Sequence, residues 1–396
     1  MICIFKKGVG GQMITSYNTF VPALMGSGAS LRTGIKVREL GCKKVLVVYD
    51  EGIQKVGIAN TIVENLNNAG IETVCFDDVQ SDPSDTMIEK AADIARKEAI
   101  DGIVAVGGGS PIDTAKGINV LINNDPPIMN YFGVQKNLKP GVPMIFIPTT
   151  SGTGSEVTNM TVITCVSQRK KDSVVSPVCV GTLAILDPDL TLGLPPKMTA
   201  ATGVDALSHA AESLTGGQAN PLSDALAREA IRLIAKWLPI AYRDGSNLEA
   251  REQMILASMY AGMAFTNALV HVGHSTAHTL GAQFHIHHGI ACGVVLPEVI
   301  EYAAKTEYKK VRMICECLGA DVPEETVPEE IGAIARNALR SLIKSVDIPN
   351  LKELGISLEE AVKVAPLVTS DDGVALAPYR ITASKVAEMI HSAHSA

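Results

Sequence analysis

The feature that most constrains this chain is an alternation in its first half that stops at one place. KKVLVVYD (43–50), ETVCFDD (72–78), GIVAVGG (102–108), MIFIPTT (144–150) and LAILDP (183–188) are short β-rich runs, most of them continuously apolar. Strands covered on both faces read this way, because neither face meets water. Between them, ANTIVENLNNAG (59–70) and TMIEKAADIARKEA (86–99) space their apolar residues near 3.6. Strand and helix in repetition predict a parallel sheet covered by helices. After TLGLPPK (191–197) β-rich runs become rare. One amphipathic helix follows another there: TAATGVDALSHAAESL, LSDALAREAIRLIAKWL, REQMILASMYAGMAF and EIGAIARNALRSLIKSV. The change places a boundary near Pro195-Pro196. The expected division is a tail over 1–12 (with Met13 an alternative start), an α/β domain over 13–194 and an all-helical domain over 195–396.

Charge and cysteine usage exclude several classes. Of 396 residues 46% are hydrophobic and 19% charged, with 34 Lys+Arg against 42 Asp+Glu for a net charge of −8. No basic run stands out beyond Arg169-Lys170-Lys171, read as a solvated loop, so the footprint of a nucleic-acid partner is absent. No uninterrupted apolar run approaches the ~20 residues of a membrane span. MICIFKKGVGGQM at the start lacks the apolar length and cleavage site of a secretory signal. The eight cysteines contain no C-x-x-C pair, and Cys75 in ETVCF reads as a reduced core thiol. A soluble protein of the reducing cytoplasm is expected.

Two strand ends carry ligand chemistry. GIVAVGGGSPIDTAKG (102–117) runs a buried strand into three glycines, then Ser110 as a helix N-cap and Pro111 at the first helical position. Such a turn offers backbone N–H groups and a positive helix end to a phosphate. It is not G-x-G-x-x-G, and a tight turn that binds nothing reads the same way. A second strand end, MIFIPTTSGTGSEVT (144–158), is also rich in glycine and hydroxyl residues. Doubly wound sheets bind ligands outside the carboxyl ends of their strands, so two such loops favour a nucleotide. Asp50, ending the first strong strand, suits an adenine-ribose diol and repels a 2′-phosphate, which favours NAD over NADP. Its alternative role is to cap the turn at Gly52.

HVGHSTAHTLGAQFHIHHG (271–289) holds six of the nine histidines. Neutral imidazole is the commonest protein metal ligand and also moves protons near neutral pH. GVDALSHAAESL (203–214) adds Asp205 and His209, four apart and on one helical face. His271, His274 and His278 are also expected on roughly one helical face, with His285, His287 and His288 following. One Asp and three His would give a divalent cation four ligands and leave room for a substrate oxygen. Spacing alone does not choose the three histidines, and a histidine cluster without metal is the alternative.

With these stretches assembled, the chain resembles the iron-containing (group III) alcohol dehydrogenases from about Phe20 to near the C-terminus. The carriers are GGGSPIDTAK (107–116), PTTSGTGSEVT (148–158), LDPDL (186–190), TAATGVDALSHAAE (199–212), AGMAFTNA (261–268) and HSTAHTLGAQFHIHHG (274–289). The resemblance implies an N-terminal Rossmann-like dinucleotide-binding domain, a C-terminal all-helical metal-binding domain, and an active site in the cleft between them. It also implies a homodimer that interconverts small alcohols and aldehydes. The metal ligands it implies are Asp205, His209, His274 and His288, with Fe²⁺ first and Zn²⁺ second. His278 is implied as the proton-handling or positioning group beside the nicotinamide. The implied cofactor positions are Asp50, Gly108, Gly109, Ser110, Asp113, Thr149, Thr150 and Lys171.

The chain departs from the family at four places. His287 replaces a usual proline before the last ligand, Cys292 replaces a common Asn after it, and Asp82 stands where many relatives have Asn. Ala377-Pro378-Tyr379-Arg380 replaces Asn-Pro-Arg. The extra His271, His285 and His287, with Arg380, would make a pocket electropositive and suit an anionic aldehyde of the semialdehyde or sulfoacetaldehyde type. Otherwise the resemblance implies a short neutral alcohol, diol or aldehyde. Three rival readings remain: a non-redox lyase on the dehydroquinate synthase-like scaffold, a non-catalytic binding protein, and a glycerol-dehydrogenase-like enzyme with fewer zinc ligands.

Overall fold

The computed structural model describes residues 18, 21–168 and 170–396, so the expected tail over 1–12 lies outside the described residues. Two compact units divide them: residues 21–150 with Gly154–Leu192, and Ser151–Thr153 with Gly193–Ala396.

Nine strands belong to the first unit: β1 (Ala23–Met25), β2 (Lys44–Asp50), β3 (Glu72–Val79), β4 (Gly102–Gly107), β5 (Gly133–Val134), β6 (Met144–Pro148), β7 (Met160–Cys165), β8 (Lys170–Val175) and β9 (Leu183–Leu186). Six form a parallel sheet in the order β1-β9-β6-β4-β2-β3. The apolar continuity of its central strands has a direct cause. Val45, Val47 and Tyr49 of β2 join Val104, Val106, Ile145 and Ile147 in one core under the helix Ile58–Asn68. Leu46 and Val48 point the other way and join Ile103, Ala105 and Phe146 under the helices Asp85–Lys97 and Gly109–Ile122. Alternate residues serve two dry faces, so no polar alternation survives. β3 is an edge strand, and Cys75 on it is exposed, which corrects the expectation of a core thiol. All seven described cysteines are free.

A second sheet, β5-β8-β7, was not foreseen. Lys170 and Lys171 lie in β8, paired antiparallel to β7, and not in a loop as expected. Cross-strand pairing decides the conformation there, and local composition carries no such information.

In the second unit one helix is interior. Every residue from Thr199 to Thr215 of the helix Pro196–Thr215 is buried. Around it the helices Pro221–Arg243, Leu248–Ala268, His288–Cys317 and Pro328–Lys344 close one core. The helix Val272–Phe284 and the C-terminal helix Ala383–Ala393 contribute to another. Asp205, His209 and Glu212 therefore sit on a helix with no solvent-facing side, and charge there needs partners. Among the described residues no single helix is long and apolar enough to cross a membrane.

Candidate functional site

In the first unit the sheet order places β4 and β3 on opposite sides of β2, so the winding direction reverses between β2 and β4. Ligands of doubly wound sheets bind at such a reversal. Asp50 ends β2, the glycine turn follows β4, and Thr149-Thr150 follow β6, with Gly107 opposite Pro148 in register. Gly107 has φ +146°, a conformation that glycine tolerates and that lets the chain turn at once into the helix Gly109–Ile122. Gly108 is the N-cap of that helix, one corrected detail, because Ser110 was expected there and Pro111 at the first helical position. Ser110 instead donates its hydroxyl to the Ser81 carbonyl at 2.6 Å, tying Ser81 to the turn.

Several expected cofactor residues already have protein partners. Asp50 accepts from the Ile53 N–H at 2.9 Å, the capping alternative. Asp113 accepts from Ser155 Oγ at 2.5 Å and from the Val162 N–H at 3.1 Å. Burial pushes its carboxyl up from the ordinary range, although Lys116, Ser155 and Val162 oppose that. Thr149 donates its N–H to the Gly107 carbonyl at 3.0 Å, and Thr150 packs beside Gly108. Lys171 pairs with Asp82 at 2.6 Å, which joins one expected contact to one departure from the family. Sequence reasoning missed Lys116. Fully buried, its ammonium donates to Ser155 O, Ser155 Oγ, Thr158 Oγ1 and Met160 O, locking the loop after β6 to the glycine-turn helix.

In the second unit the side chains converge. Asp205 Oδ1 lies 3.3 Å from His288 Nε2, 3.9 Å from His274 Nε2 and 4.0 Å from His209 Nε2. His209 stacks between Phe265 and His274, with ring centroids 4.4 and 4.6 Å away. Glu212, also missed, follows His209 by one helical turn and accepts from His274 Nδ1 at 2.6 Å. It also accepts the backbone N–H of His271 at 2.8 Å and of Gly273 at 3.1 Å. A Cβ on Gly273 would meet Glu212 Oε1 at 2.5 Å, so glycine there lets the carboxylate reach the histidine. The signal was present in TAATGVDALSHAAE, as a carboxylate at i+7 from Asp205.

His271 is a correction: it precedes the helix Val272–Phe284 and does not share a helical face with His274 and His278. Its ring is fully buried, with Nε2 at 3.0 Å from Thr215 Oγ1 and Nδ1 at 3.4 Å from Glu212. It has no part in an electropositive pocket. His285 is exposed in the left-handed region at φ 55°, and His287 and Arg380 are also exposed. His278 stacks on His288 with centroids 5.2 Å apart, and its Nδ1 lies 3.9 Å from Asp371 Oδ2. Asp371 comes from a distant segment and is set by Ser275 Oγ at 2.8 Å and the Gly373 N–H at 2.8 Å.

The electrostatics fit a divalent cation. Burial alone would raise Asp205, but His209 and His288 outweigh it and hold the carboxyl far below its usual range. For Glu212 burial is likewise outweighed, by His274 and His271, and the carboxyl is held at about 2. Burial pushes His209 down to about 4 and lowers His278. Asp205 Oδ1, His209 Nδ1 and His274 Nε2 are buried and have no hydrogen-bond partner. Buried polar atoms left in this state are rare and call for an explanation, an unplaced ion among the ordinary ones. A carboxylate that fixes His274 through Nδ1, leaving Nε2 for another partner, is the usual support of a metal-bound imidazole.

Residues 22–188 match the family described as iron-containing alcohol dehydrogenase, and residues 199–394 match the Fe-containing alcohol dehydrogenase family, C-terminal. The chain belongs to the iron-containing alcohol dehydrogenase family. It is 35% identical over 380 residues to the NAD-dependent methanol dehydrogenase of Bacillus methanolicus, covering 95% of this chain and 99% of that one. A crystal structure of 1,3-propanediol oxidoreductase matches with TM-score 0.91 and 36% identity, over 96% of this chain and all (100%) of the other. The sulfoacetaldehyde reductase of Bifidobacterium kashiwanohense in complex with NAD+ matches with TM-score 0.86 and 29% identity, over 97% and 100%.

Proposed function

We propose that the chain is a metal-dependent, NAD(H)-linked alcohol dehydrogenase or aldehyde reductase acting on a small aldehyde or primary alcohol. The observation that carries this reading is the convergence of Asp205, His209, His274 and His288 around buried polar atoms that lack partners. These four residues would hold a divalent ion, Fe²⁺ first and Zn²⁺ as the alternative. Such an ion, when bound, polarises a substrate oxygen, while a nicotinamide supplies or accepts the hydride. The N–H groups at Gly108 and Gly109 would face the pyrophosphate, with Asp50 disfavouring a 2′-phosphate and the Ser110 hydroxyl holding the turn through Ser81. His278, whose imidazole desolvation lowers against the opposing pull of Asp371, holds or passes the proton of the alcohol, and Asp371 orients its ring. Glu212 fixes the His274 tautomer. The relatives' names span a simple alcohol, a diol and a sulfonated aldehyde. For an anionic substrate the remaining basic side chains are His285, His287 and Arg380. Unchanged KM for acidic aldehydes in His287→Ala and Arg380→Ala would exclude that substrate class.

The test is anaerobic NADH oxidation across neutral and anionic short aldehydes, using metal-stripped protein reloaded separately with Fe²⁺ and Zn²⁺. Turnover is expected only with metal. NADH binding without turnover on any of these aldehydes, under any metal, would overturn the reading.

A further inference from the structure

We propose that Cys292 is a thiolate ligand of the ion that Asp205, His274 and His288 hold, so that this centre is a mixed sulfur, nitrogen and oxygen site. The inference rests on the metal-site reading above. Cys292 follows His288 by one turn on the helix His288–Cys317 and is 1% exposed. Its Sγ lies 3.6 Å from His288 Nε2. One donor atom each from Asp205, His274, His288 and Cys292 forms a group in which all four lie within 4.8 Å of one another. A tetrahedral ion with nitrogen and oxygen bonds near 2.0–2.1 Å and a sulfur bond near 2.3 Å places its donors about 3.3–3.7 Å apart. The Asp205–His288 and Cys292–His288 separations, 3.3 and 3.6 Å, fall in that range. The Asp205–His274 separation, 3.9 Å, needs a small closure.

A second observation points into the same space. Asp205 Oδ1 and His274 Nε2 are buried without hydrogen-bond partners. A plain thiol hydrogen bond to His288 would satisfy neither of them, and a thiol is a weak donor. A cation at the centre of the group satisfies both and takes the sulfur as well. His209 remains a further donor, at 4.0 Å from Asp205 Oδ1.

The chemistry that follows differs from that of an imidazole and carboxylate set. Binding forms a Cys–S–M bond and releases the proton that the Cys292–His288 pair shares in the metal-free protein. A thiolate moves the preference of the site toward Zn²⁺ and away from Fe²⁺.

Cobalt distinguishes the possibilities without reference to activity. The metal-stripped full chain is titrated anaerobically with Co²⁺, and the visible d–d bands and the near-ultraviolet sulfur-to-cobalt charge-transfer band are recorded. His274→Ala, Cys292→Ser and Cys292→Asn are treated alike, with Cys292→Ala in reserve should the polar variants fold poorly. Both bands are expected in the parent protein, with only the charge-transfer band lost in the Cys292 variants. The Zn²⁺ to Fe²⁺ affinity ratio should fall about tenfold in Cys292→Ser. Parent protein with d–d bands that His274→Ala abolishes, but with no charge-transfer band, overturns the Cys292 assignment and leaves the metal reading standing. A charge-transfer band that survives in Cys292→Ser assigns the sulfur to another cysteine and also overturns it. A parent chain that retains no cobalt overturns both.

Discussion

The two candidate ligand regions are built from different materials. The strand-end turn of the α/β unit is made of backbone and short side chains, and several of its polar groups are already spoken for inside the protein. Asp50 caps a helix, Asp113 holds Ser155 and Val162, and Lys171 pairs with Asp82. The cluster of the helical unit is made of long ionisable side chains on buried helices, and three of its atoms have no partner at all. The charged groups of the first region are paired within the protein, whereas those of the second leave buried donor and acceptor atoms unpaired. A buried unpaired polar atom costs about 1–3 kcal/mol, and a cation held by Asp205 Oδ1 and His274 Nε2 would relieve two of the three.

That contrast breaks first at the metal cluster. Asp205→Ala or His274→Ala should abolish metal retention and lower kcat/KM at least about a thousandfold, since the ion is asked for several kcal/mol of barrier. NADH affinity, read by fluorescence titration, should change far less than metal retention, because the phosphate-binding N–H groups proposed above belong to the strand-end turn. A comparable loss of NADH binding would show that the two regions are one energetic unit. One step outward, Glu212→Gln should weaken metal binding about 10–100-fold, the usual effect of removing the support of a liganding histidine. Metal competition with a chelator measures this, and an unchanged affinity would reduce Glu212 to a helix-packing role.

The cluster should also be the pH-sensitive region. Burial disfavours a charged His288 ring, but Cys292 and Asp205 outweigh it and push the imidazole up to about 10 in the metal-free protein. The ring is therefore protonated at neutral pH, and an entering cation must displace that proton. Affinity should rise with pH up to about 10, by roughly tenfold per unit for each proton released. A flat or falling pH dependence would show that the ring is already neutral.

How much of this was legible in the chain follows from the same contrast. β2, β4, β6 and β9 announce themselves because burial on both faces leaves continuous apolar runs. The β7–β8 hairpin does not, because TVITC and KKDSVV pair with each other across a turn and no local pattern records a partner. Asp205 and His209 were legible as an i, i+4 pair, and Glu212 was legible in principle on the same helix. Asp371 was not: it reaches His278 from a segment whose approach only tertiary packing decides. The six histidines looked like one group, yet the chain turns between them. His271 falls before its helix and His285 in the left-handed region after it, so their roles separate.

The smallest effect belongs to the turn, at the pair Lys171 and Asp82. Both side chains are well exposed, at 35% and 60%, and exposed pairs contribute about 0–1 kcal/mol. The Ser110 hydroxyl holds the Ser81 carbonyl at the glycine turn, and the next residue is Asp82. Its charge opposes a phosphate and occupies the lysine that would meet one. Asp82→Asn should therefore tighten NADH about two- to fivefold, within that energetic range. The gain should shrink as salt is raised from about 0.01 to 0.5 M, because exposed charges are screened over a few ångströms at the upper end. Lys171→Ala should weaken NADH by a similar factor and erase the response to Asp82→Asn in the double variant. If Lys171→Ala is silent, Lys171 is only a partner of Asp82, and the turn binds its phosphates by backbone alone. The contrast with the helical cluster would then be sharper still, with one region recognising its ligand through the chain's main-chain dipoles and the other through ionisable side chains.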